Sequence, residues 1–171
     1  MNQTLNDLKT RRSIRKYKAD PIPKELLDQV LEAGTYAPTG MNRQTPVIIA
    51  VTNPDMVKKI SQLNAGVMGG SNDPFYGAPA VLIVLAEKTG TWIYDGSLVM
   101  GNLLNAAHAV GLGAAWIHRA KEVFASDEGK ALLKEWGLEG DYEGIGNCII
   151  GYPDETPDAR PRKEGYIIRV E

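Results

Sequence analysis

The chain has 171 residues, of which 43% are hydrophobic and 23% charged, so its length suits one core and its composition is ordinary for a globular protein. A formal net charge of -2 provides no broad positive field, which argues against nucleic-acid binding. The lone cysteine, Cys148, lies in an apolar run and cannot form an internal disulfide, which favours a reducing cytoplasm. We expect a single domain over residues 1–171, with no secretory signal at its start.

The first half of the chain alternates helical and strand patterns. Residues 24–36 carry leucines and a valine at helical spacing between flanking prolines, which predicts an amphipathic helix. The β-branched residues 47–52 predict a buried strand, and residues 54–64 predict a second surface helix. Four glycines and a proline in residues 65–77 argue against regular structure and predict a mobile loop.

The second half continues the alternation. The patterns predict a strand at 80–86, a helix at 94–110, a strand at 114–118, an amphipathic helix at 127–136, a strand at 145–151 and a strand at 166–170. The last of these must pair with another strand. Helices interleaved with strands, without an internal repeat, predict an α/β or α+β sandwich.

One apolar stretch needs a separate interpretation. Residues 97–117 carry no formal charge and approach the length of about 20 residues that a membrane-spanning helix requires. Asn102, Asn105 and His108 lie within it, and each polar side chain needs a partner that lipid does not supply. We therefore predict a helix buried in the core or in a subunit interface, and no membrane association.

Three polar segments have the residues to bind a ligand. Residues 11–17 place four cations and a serine hydroxyl within seven positions, and the planar fork of arginine donors matches phosphate oxygens. Residues 37–44 form a turn before a buried strand, where the amides of Asn42 and Gln44 suit the edge of a heterocycle. Residues 160–163 (Arg-Pro-Arg-Lys) form a third polar segment. Taken singly, each segment also fits a solvated turn or tail.

Other chemistries lack their residue patterns. The two histidines, His108 and His118, occur without an HExxH motif, which argues against a zinc site. The sequence contains no Walker loop and no GxSxG elbow. Gly111 and Gly113 follow a helical pattern instead of a strand, so they do not fit the dinucleotide-binding fingerprint. A nicotinamide would therefore enter an open, shared pocket.

Four motifs, in order across nearly the whole chain, resemble those of the FMN-dependent nitroreductases. They are RRSIRKY at residues 11–17, APTGMNRQ at 37–44, GLGAAWIHRA at 111–120, and IGYP followed by ARPRK within 150–163. The resemblance implies an α+β fold, a nitroreductase-like α/β sandwich with a central, mainly antiparallel sheet flanked by helices. It also implies an interlocked homodimer with FMN at the subunit interface, NADH or NADPH as electron donor, and a small-molecule acceptor.

The resemblance also implies roles for individual residues. Arg11, Arg12, Ser13 and Arg15 are expected to hold the FMN phosphate and the pyrimidine side of the ring, and Arg160 and Arg162 to join them at the phosphate. Arg15 is expected near the atoms where charge develops on flavin reduction. The remaining candidates are Pro38, Thr39, Gly40 and Asn42 from the partner subunit, Trp116, Ile117, His118 and Arg119 at the flavin N5 and O4 edge, and Asn64 at its polar edge.

The predicted activity is hydride transfer from NAD(P)H through flavin N5 to a nitroaromatic, a quinone or a similar acceptor, by a ping-pong mechanism. The flavin carries this chemistry, so no catalytic side chain is expected. Alternatives are a different reaction on the same fold, such as dehalogenation or azoline oxidation, and a protein that stores FMN without turnover. A dimeric interaction module is the remaining alternative. His118 and Arg119 stand where many relatives have small or acidic residues, so the acceptor stays open.

Two further expectations concern the dimer. The helix at 94–110 is expected to pack against its symmetry mate, because its apolar and small residues permit close approach. That face consists of Val99, Leu103, Ala106, Ala107 and Val110. The strand at 166–170 is expected to pair with the partner subunit.

Overall fold

The computed structural model describes residues 2–171, which form six α-helices, one 3-10 turn and four β-strands. The elements in chain order are α1 (Gln3–Thr10), α2 (Lys24–Thr35), the 3-10 turn (Gly40–Asn42), β1 (Pro46–Val51), α3 (Pro54–Val67), β2 (Ala80–Glu87), α4 (Trp92–Ala109), β3 (Gly113–Ile117), α5 (Ala120–Ala125), α6 (Asp127–Glu135) and β4 (Tyr142–Gly151).

The four strands form one sheet in the order β1-β2-β4-β3, and every neighbouring pair is antiparallel. This confirms the predicted α+β fold with a central antiparallel sheet. Alternate residues of each strand face opposite sides of the sheet, so each side needs its own cover. Leu82 and Val84 pack beneath α2 and α4, whereas Val81 and Ile83 pack against α3, α5 and α6. Helices therefore flank the sheet on both faces.

The uncharged stretch forms α4, which is buried as predicted. The face of α4 that we expected at the dimer interface packs instead against the sheet of the same chain. Val99, Leu103 and Ala107 are at most 4% exposed and lie in the core of the chain itself. Ala106 and Val110 are partly buried against the same core. The predicted dimer face is therefore wrong, because these side chains hold α4 on the sheet.

The opposite side of α4 carries a row of residues at helical spacing that are exposed at its start and half-buried farther along. We call this row, Tyr94, Leu98, Gly101 and Asn105, the α4 stripe. Tyr94 is 72% exposed and Leu98 is 48% exposed. Large exposed apolar side chains that lie together mark interaction surfaces in many proteins. None of the helices within residues 2–171 is both long and apolar enough to cross a membrane.

The cationic segment that follows α1 lies along the sheet edge formed by β3. Ser13 forms a parallel bridge with Ala114, and the Ile14 N–H donates to the Ala114 carbonyl at 3.1 Å. The Lys18 N–H donates to the carbonyl of Tyr152, just beyond β4, at 2.9 Å. These bonds satisfy backbone groups that an open edge strand would leave unpaired. They also fix the predicted phosphate-binding motif against the sheet.

Cys148 lies in β4, opposite Leu82 of one neighbouring strand and Trp116 of the other. It is 0% exposed, and burial raises the pKa of its thiol to about 12, against a smaller opposing effect of the Arg11 charge. The thiol is therefore protonated at neutral pH and packs as a small apolar side chain.

Residues 65–77 are more regular than expected. α3 continues to Val67, so the prediction of irregular structure is wrong for residues 65–67. Farther along, Asp73 accepts hydrogen bonds from the Ser61 hydroxyl and from two backbone N–H groups. Burial alone would raise the pKa of Asp73, but these hydrogen bonds bring it below its usual value. Phe75 is 1% exposed, which anchors the segment in the core.

Within residues 2–171, the C-terminal tail forms no strand. Tyr166, Ile167, Ile168 and Val170 are between 74% and 93% exposed, although their sequence has a strand pattern. The expected pairing with the partner subunit therefore stays a prediction.

Candidate functional site

Arg11 and Arg12 lie at the end of α1, in a cleft of about 390 Å³ between the start of β3 and the end of α4. Burial lowers the pKa of Arg11, and the neighbouring positive charge of Arg12 lowers it further. One buried nitrogen of each guanidinium, Nη1 of Arg11 and Nε of Arg12, has no hydrogen-bond partner within residues 2–171. A buried donor without an acceptor is costly, and a cation more so, because it has left water without compensation.

The other groups of the cleft leave its two arginines available to an anion. His108 Nε2 lies 2.9 Å from the Thr10 hydroxyl, so the two side chains hydrogen-bond each other. The Glu155 carboxylate, which also lines the cleft, accepts the Arg15 N–H at 2.5 Å. Arg12 Nη1 donates to the carbonyls of Lys9 and Arg11, at 2.9 and 2.7 Å. An anionic group bound in the cleft would supply acceptors for the nitrogens of Arg11 and Arg12 that lack one.

Three other cations predicted for the phosphate lie outside this cleft in the single chain. The side chain of Arg15 is exposed, next to the cleft in sequence. Arg160 and Arg162 are exposed in the tail, and Arg162 Nη2 donates to the carbonyl of Arg160 at 2.8 Å. Pro157, however, lines the cleft, and three extended residues span about 10 Å. Arg160 therefore lies within about 10 Å of Pro157 but does not line the cleft.

Residues 38–44, which we call the Gly40 turn, have an unusual backbone. Met41, Asn42 and Gln44 adopt left-handed φ angles of 55°, 54° and 52°. L-residues rarely adopt this conformation, since Cβ then approaches the backbone. Pro38 and Asn42 are exposed, whereas Thr39 and Gly40 are half-buried. The turn therefore presents its polar groups outwards in a conformation that the surroundings must hold.

The Gly40 turn and the arginine cleft lie at opposite ends of α4. The Gly40 N–H donates to Asp95, in the first turn of this helix, whereas His108, in the last turn, lines the cleft. The 13 residues between Asp95 and His108 span about 20 Å along a helix axis. The structure therefore separates two groups of residues that we predicted at one flavin.

The end of β3 carries the third group of predicted residues. The rings of Trp116 and His118 are tilted by 30° with centroids 5.7 Å apart, and both line a surface cleft of about 640 Å³. Ile117 is half-buried. Arg119 has a left-handed φ of 82° and forms an ion pair with Glu122. Nε1 of Trp116 is buried and has no hydrogen-bond partner within residues 2–171.

Asn64 does not reach the surface. It is 0% exposed, and its Oδ1 accepts from Nδ2 of Asn147, also buried, at 3.1 Å. Asn147 lies opposite Ile117 in the sheet, and its Oδ1 is buried without a partner within the described chain. Asn147 was not among the residues predicted from the sequence, although an amide in the middle of an apolar strand indicates a special role.

A further cavity, of about 710 Å³, lies elsewhere, between α3 and the segments at residues 19–22 and 71–80. None of the predicted flavin-contacting residues lines it. In the single chain, most of the predicted residues line two open clefts or belong to the Gly40 turn, whereas Arg15, Arg160 and Arg162 lie outside the clefts and Asn64 is buried.

The fold and the clefts define an α+β protein whose sheet edge carries buried, unsatisfied arginine donors. The sequence profile of the Nitroreductase family matches residues 8–152. The chain therefore belongs to the Nitroreductase family.

Individual relatives agree with this assignment. The chain is 41% identical to the FMN reductase [NAD(P)H] of Bacillus subtilis over 186 positions, which cover 95% of this chain and 70% of that protein. It is 31% identical, over 91% of its length and 80% of the other, to a protein of Methanothermobacter thermautotrophicus provisionally named NADH dehydrogenase/NAD(P)H nitroreductase. The crystal structure of a nitroreductase with bound FMN from Bacteroides fragilis superposes with a TM-score of 0.92, at 28% identity and full coverage of both chains.

Proposed function

We propose that this protein is an FMN-dependent oxidoreductase that transfers hydride from NAD(P)H to a small oxidised acceptor by a ping-pong mechanism. The observation that carries the proposal is the pair of buried guanidinium nitrogens of Arg11 and Arg12, which lack an acceptor in the cleft. A phosphate supplies charged acceptors at the spacing of an arginine fork. The FMN named for the Bacteroides fragilis relative carries such a group.

The residues present fit FMN. Arg11, Arg12 and Ser13 would bind its phosphate, and Arg15 would lie near the pyrimidine side of the ring. Trp116 to Arg119, at the other end of β3, begin about 7 Å from Ala114, a distance given by the rise of two strand residues. Bound FMN supplies a redox centre that accepts hydride from the nicotinamide and returns it to the acceptor. The protein's part is binding and orientation, so we assign no acid or base.

We propose that the working unit is a homodimer, in which each flavin contacts the Gly40 turn of the other subunit. The separation of about 20 Å between this turn and the arginine cleft, along α4, supports the proposal. The α4 stripe gives a second copy an apolar surface to cover. A two-fold contact that sets the two α4 helices antiparallel brings the start of one helix near the end of the other. We propose one domain over residues 1–171, acting in the cytoplasm.

We also propose that the tail of each subunit extends the sheet of its partner. β1 is an edge strand, paired only with β2 within residues 2–171, and an unpaired apolar edge favours strand addition. The tail offers four apolar residues, Tyr166, Ile167, Ile168 and Val170, that are at least 74% exposed in the single chain. Pairing would give the backbone groups at the edge of β1 hydrogen-bond partners and would cover the apolar side chains of the tail.

Removal of residues 166–171 tests this pairing. The truncated protein keeps Arg160 and Arg162 but loses the added strand, so we expect its dimer to dissociate at least about 100-fold more readily. Sedimentation velocity over a concentration series measures this change. The control Glu171→Ala leaves the strand pattern intact and should sediment as the parent protein does. A truncated protein that remains dimeric at the same concentrations contradicts the tail pairing.

The proposed activity predicts a visible signature. Purified protein reconstituted with FMN is expected to be yellow, to bleach anaerobically on addition of NADH or NADPH, and to regain its colour when a nitroaromatic or quinone is added. Stopped-flow absorbance of the two half-reactions, followed by steady-state kinetics at varied donor and acceptor, checks the ping-pong mechanism. Bound FMN that neither nicotinamide reduces indicates a storage protein instead, and colourless protein contradicts the proposal altogether.

A further inference from the structure

The Gly40 turn cannot set its own orientation. The Gln44 N–H donates to the Thr39 hydroxyl at 3.0 Å, and Gln44 Nε2 donates to Oδ1 of Asn42 at 3.0 Å. Both bonds join one part of the turn to another part, so they maintain its shape but do not attach it to the body of the protein. A strained, exposed turn needs a contact outside itself to hold one position.

Asp95 supplies that contact. Its Oδ1 accepts the Gly40 N–H at 2.9 Å, and its Oδ2 accepts the Thr91 hydroxyl at 2.8 Å. Asp95 is 3% exposed and is the one charged side chain classed as buried within residues 2–171. A buried carboxylate persists only where donors compensate for lost water, and here two donors and the positive end of α4 do so. Its bond to the Gly40 N–H is charge-assisted and directional.

Thr91 and Gly40 complete the attachment by close packing. A Cβ placed on Gly40 would lie 2.4 Å from Oγ1 of Thr91, nearer than real Cβ atoms approach another atom. Thr91 is the N-cap residue of α4, yet its side chain makes no capping bond to the helix backbone. Its hydroxyl instead orients the Asp95 carboxylate. At the start of α4, the Thr91 side chain therefore contacts the Gly40 turn and Asp95 instead of accepting a capping hydrogen bond from the helix backbone.

We infer that Asp95 and Thr91 are positioning residues, which hold the Gly40 turn in the orientation that contacts flavin. The inference rests on the proposed function. Neither side chain touches flavin in this arrangement; each acts through the backbone of Gly40. Loss of either one frees the turn and weakens FMN binding without changing the arginine cleft.

The matched pair Thr91→Val and Thr91→Ser tests the inference. Valine has nearly the shape of threonine but no hydroxyl, whereas serine keeps the hydroxyl that donates to Asp95. We expect Thr91→Val to weaken FMN binding about tenfold and Thr91→Ser to bind FMN within about twofold of the parent protein. Asp95→Asn, which removes the charge but keeps the shape, should weaken binding by about tenfold or more. Fluorescence titration of apoprotein with FMN gives the dissociation constants.

Ser126→Ala is the stability control. Ser126 caps α6 by accepting the Gly129 N–H at 3.1 Å, and it lies outside the predicted flavin contacts. Its loss should lower the melting temperature and leave the affinity for FMN unchanged. If Thr91→Val and Asp95→Asn behave in the same way, with lower melting temperatures and parental FMN affinity, the two residues are merely structural and the inference is overturned.

Two further outcomes are informative. If Asp95→Asn fails to fold, the Thr91 pair alone decides, because equal FMN affinity of the valine and serine variants overturns the inference. If the parent protein itself binds no FMN, the proposed function fails together with the inference. Parental binding combined with unaffected variants overturns the inference alone, so the two failures are distinguishable.

Discussion

Replacement of Arg11 by alanine is expected to weaken FMN binding by about 100-fold or more while leaving the apoprotein as stable as before. Removing one partner of a buried, hydrogen-bonded charge pair costs about 2–5 kcal/mol, and 1.4 kcal/mol corresponds to tenfold in affinity. In the apoprotein, the buried Nη1 of Arg11 has no partner to lose, and burial already disfavours its charge. The melting temperature of the apoprotein should therefore not fall, whereas its rise on addition of FMN should disappear.

Lys134→Ala is the matched control for this experiment. It removes one positive charge from the exposed face of α6 and should leave both the affinity for FMN and the FMN-induced rise in melting temperature unchanged. Arg11→Lys keeps the charge but not the planar fork, so we expect an intermediate affinity. An Arg11→Ala protein that binds FMN within threefold of the parent excludes the cleft as the phosphate site.

A heterodimer of an Arg11→Ala chain and a Gly40→Ala chain is expected to bind one FMN per dimer at parental affinity, although each variant homodimer binds FMN weakly. If the arginine cleft of one subunit and the Gly40 turn of the other form each site, one site of this heterodimer carries both substitutions and the other carries neither. Gly40→Ala should displace the turn, since the added Cβ would meet Thr91. Co-expression with two affinity tags isolates the heterodimer, and visible absorbance gives its FMN content.

The reciprocal heterodimer provides a control with the opposite expectation. One chain carries both substitutions and the other carries none, so each shared site contains one damaged component and neither should bind FMN tightly. Sites built within single chains reverse these results: the first heterodimer would then bind no FMN and the second would bind one. The pair of measurements thus decides where the turn acts, irrespective of the absolute loss caused by each substitution.

The sheet and most helices could be predicted from the sequence because their signals are local. Four of the five predicted strands correspond to observed ones, since runs such as residues 80–86 are uniformly apolar and contain β-branched residues, whereas residues 166–170 form no strand within residues 2–171. The helix α5 was missed because its six residues are too few to show a helical period. The face of α4 that packs in the core was predicted as a dimer face, also because its helical periodicity is weak. Apolar and small residues occur around most of this helix, so periodicity does not identify its buried face.

The candidate site could be predicted only as separate segments. The Arg11 motif was identified from the chemistry of its residues and from a family resemblance, and the structure adds the buried, unsatisfied donors. Asp95 gave no signal, because its contact with Gly40 joins residues 55 positions apart and a lone acid at a helix start is common. The separation of the turn from the cleft depends on the length of α4 between them, which no local pattern encodes.

The burial of Cys148 has a practical consequence for handling the protein. Burial holds the pKa of its thiol well above the usual value, so the thiol is protonated at neutral pH, whereas the thiolate is the form that reacts with oxidants and alkylating reagents. Because the sequence holds no other cysteine, labelling by such reagents reports motions that expose Cys148 in β4. The chain thus carries its own probe of unfolding, which can be read while the yellow colour independently reports the cofactor.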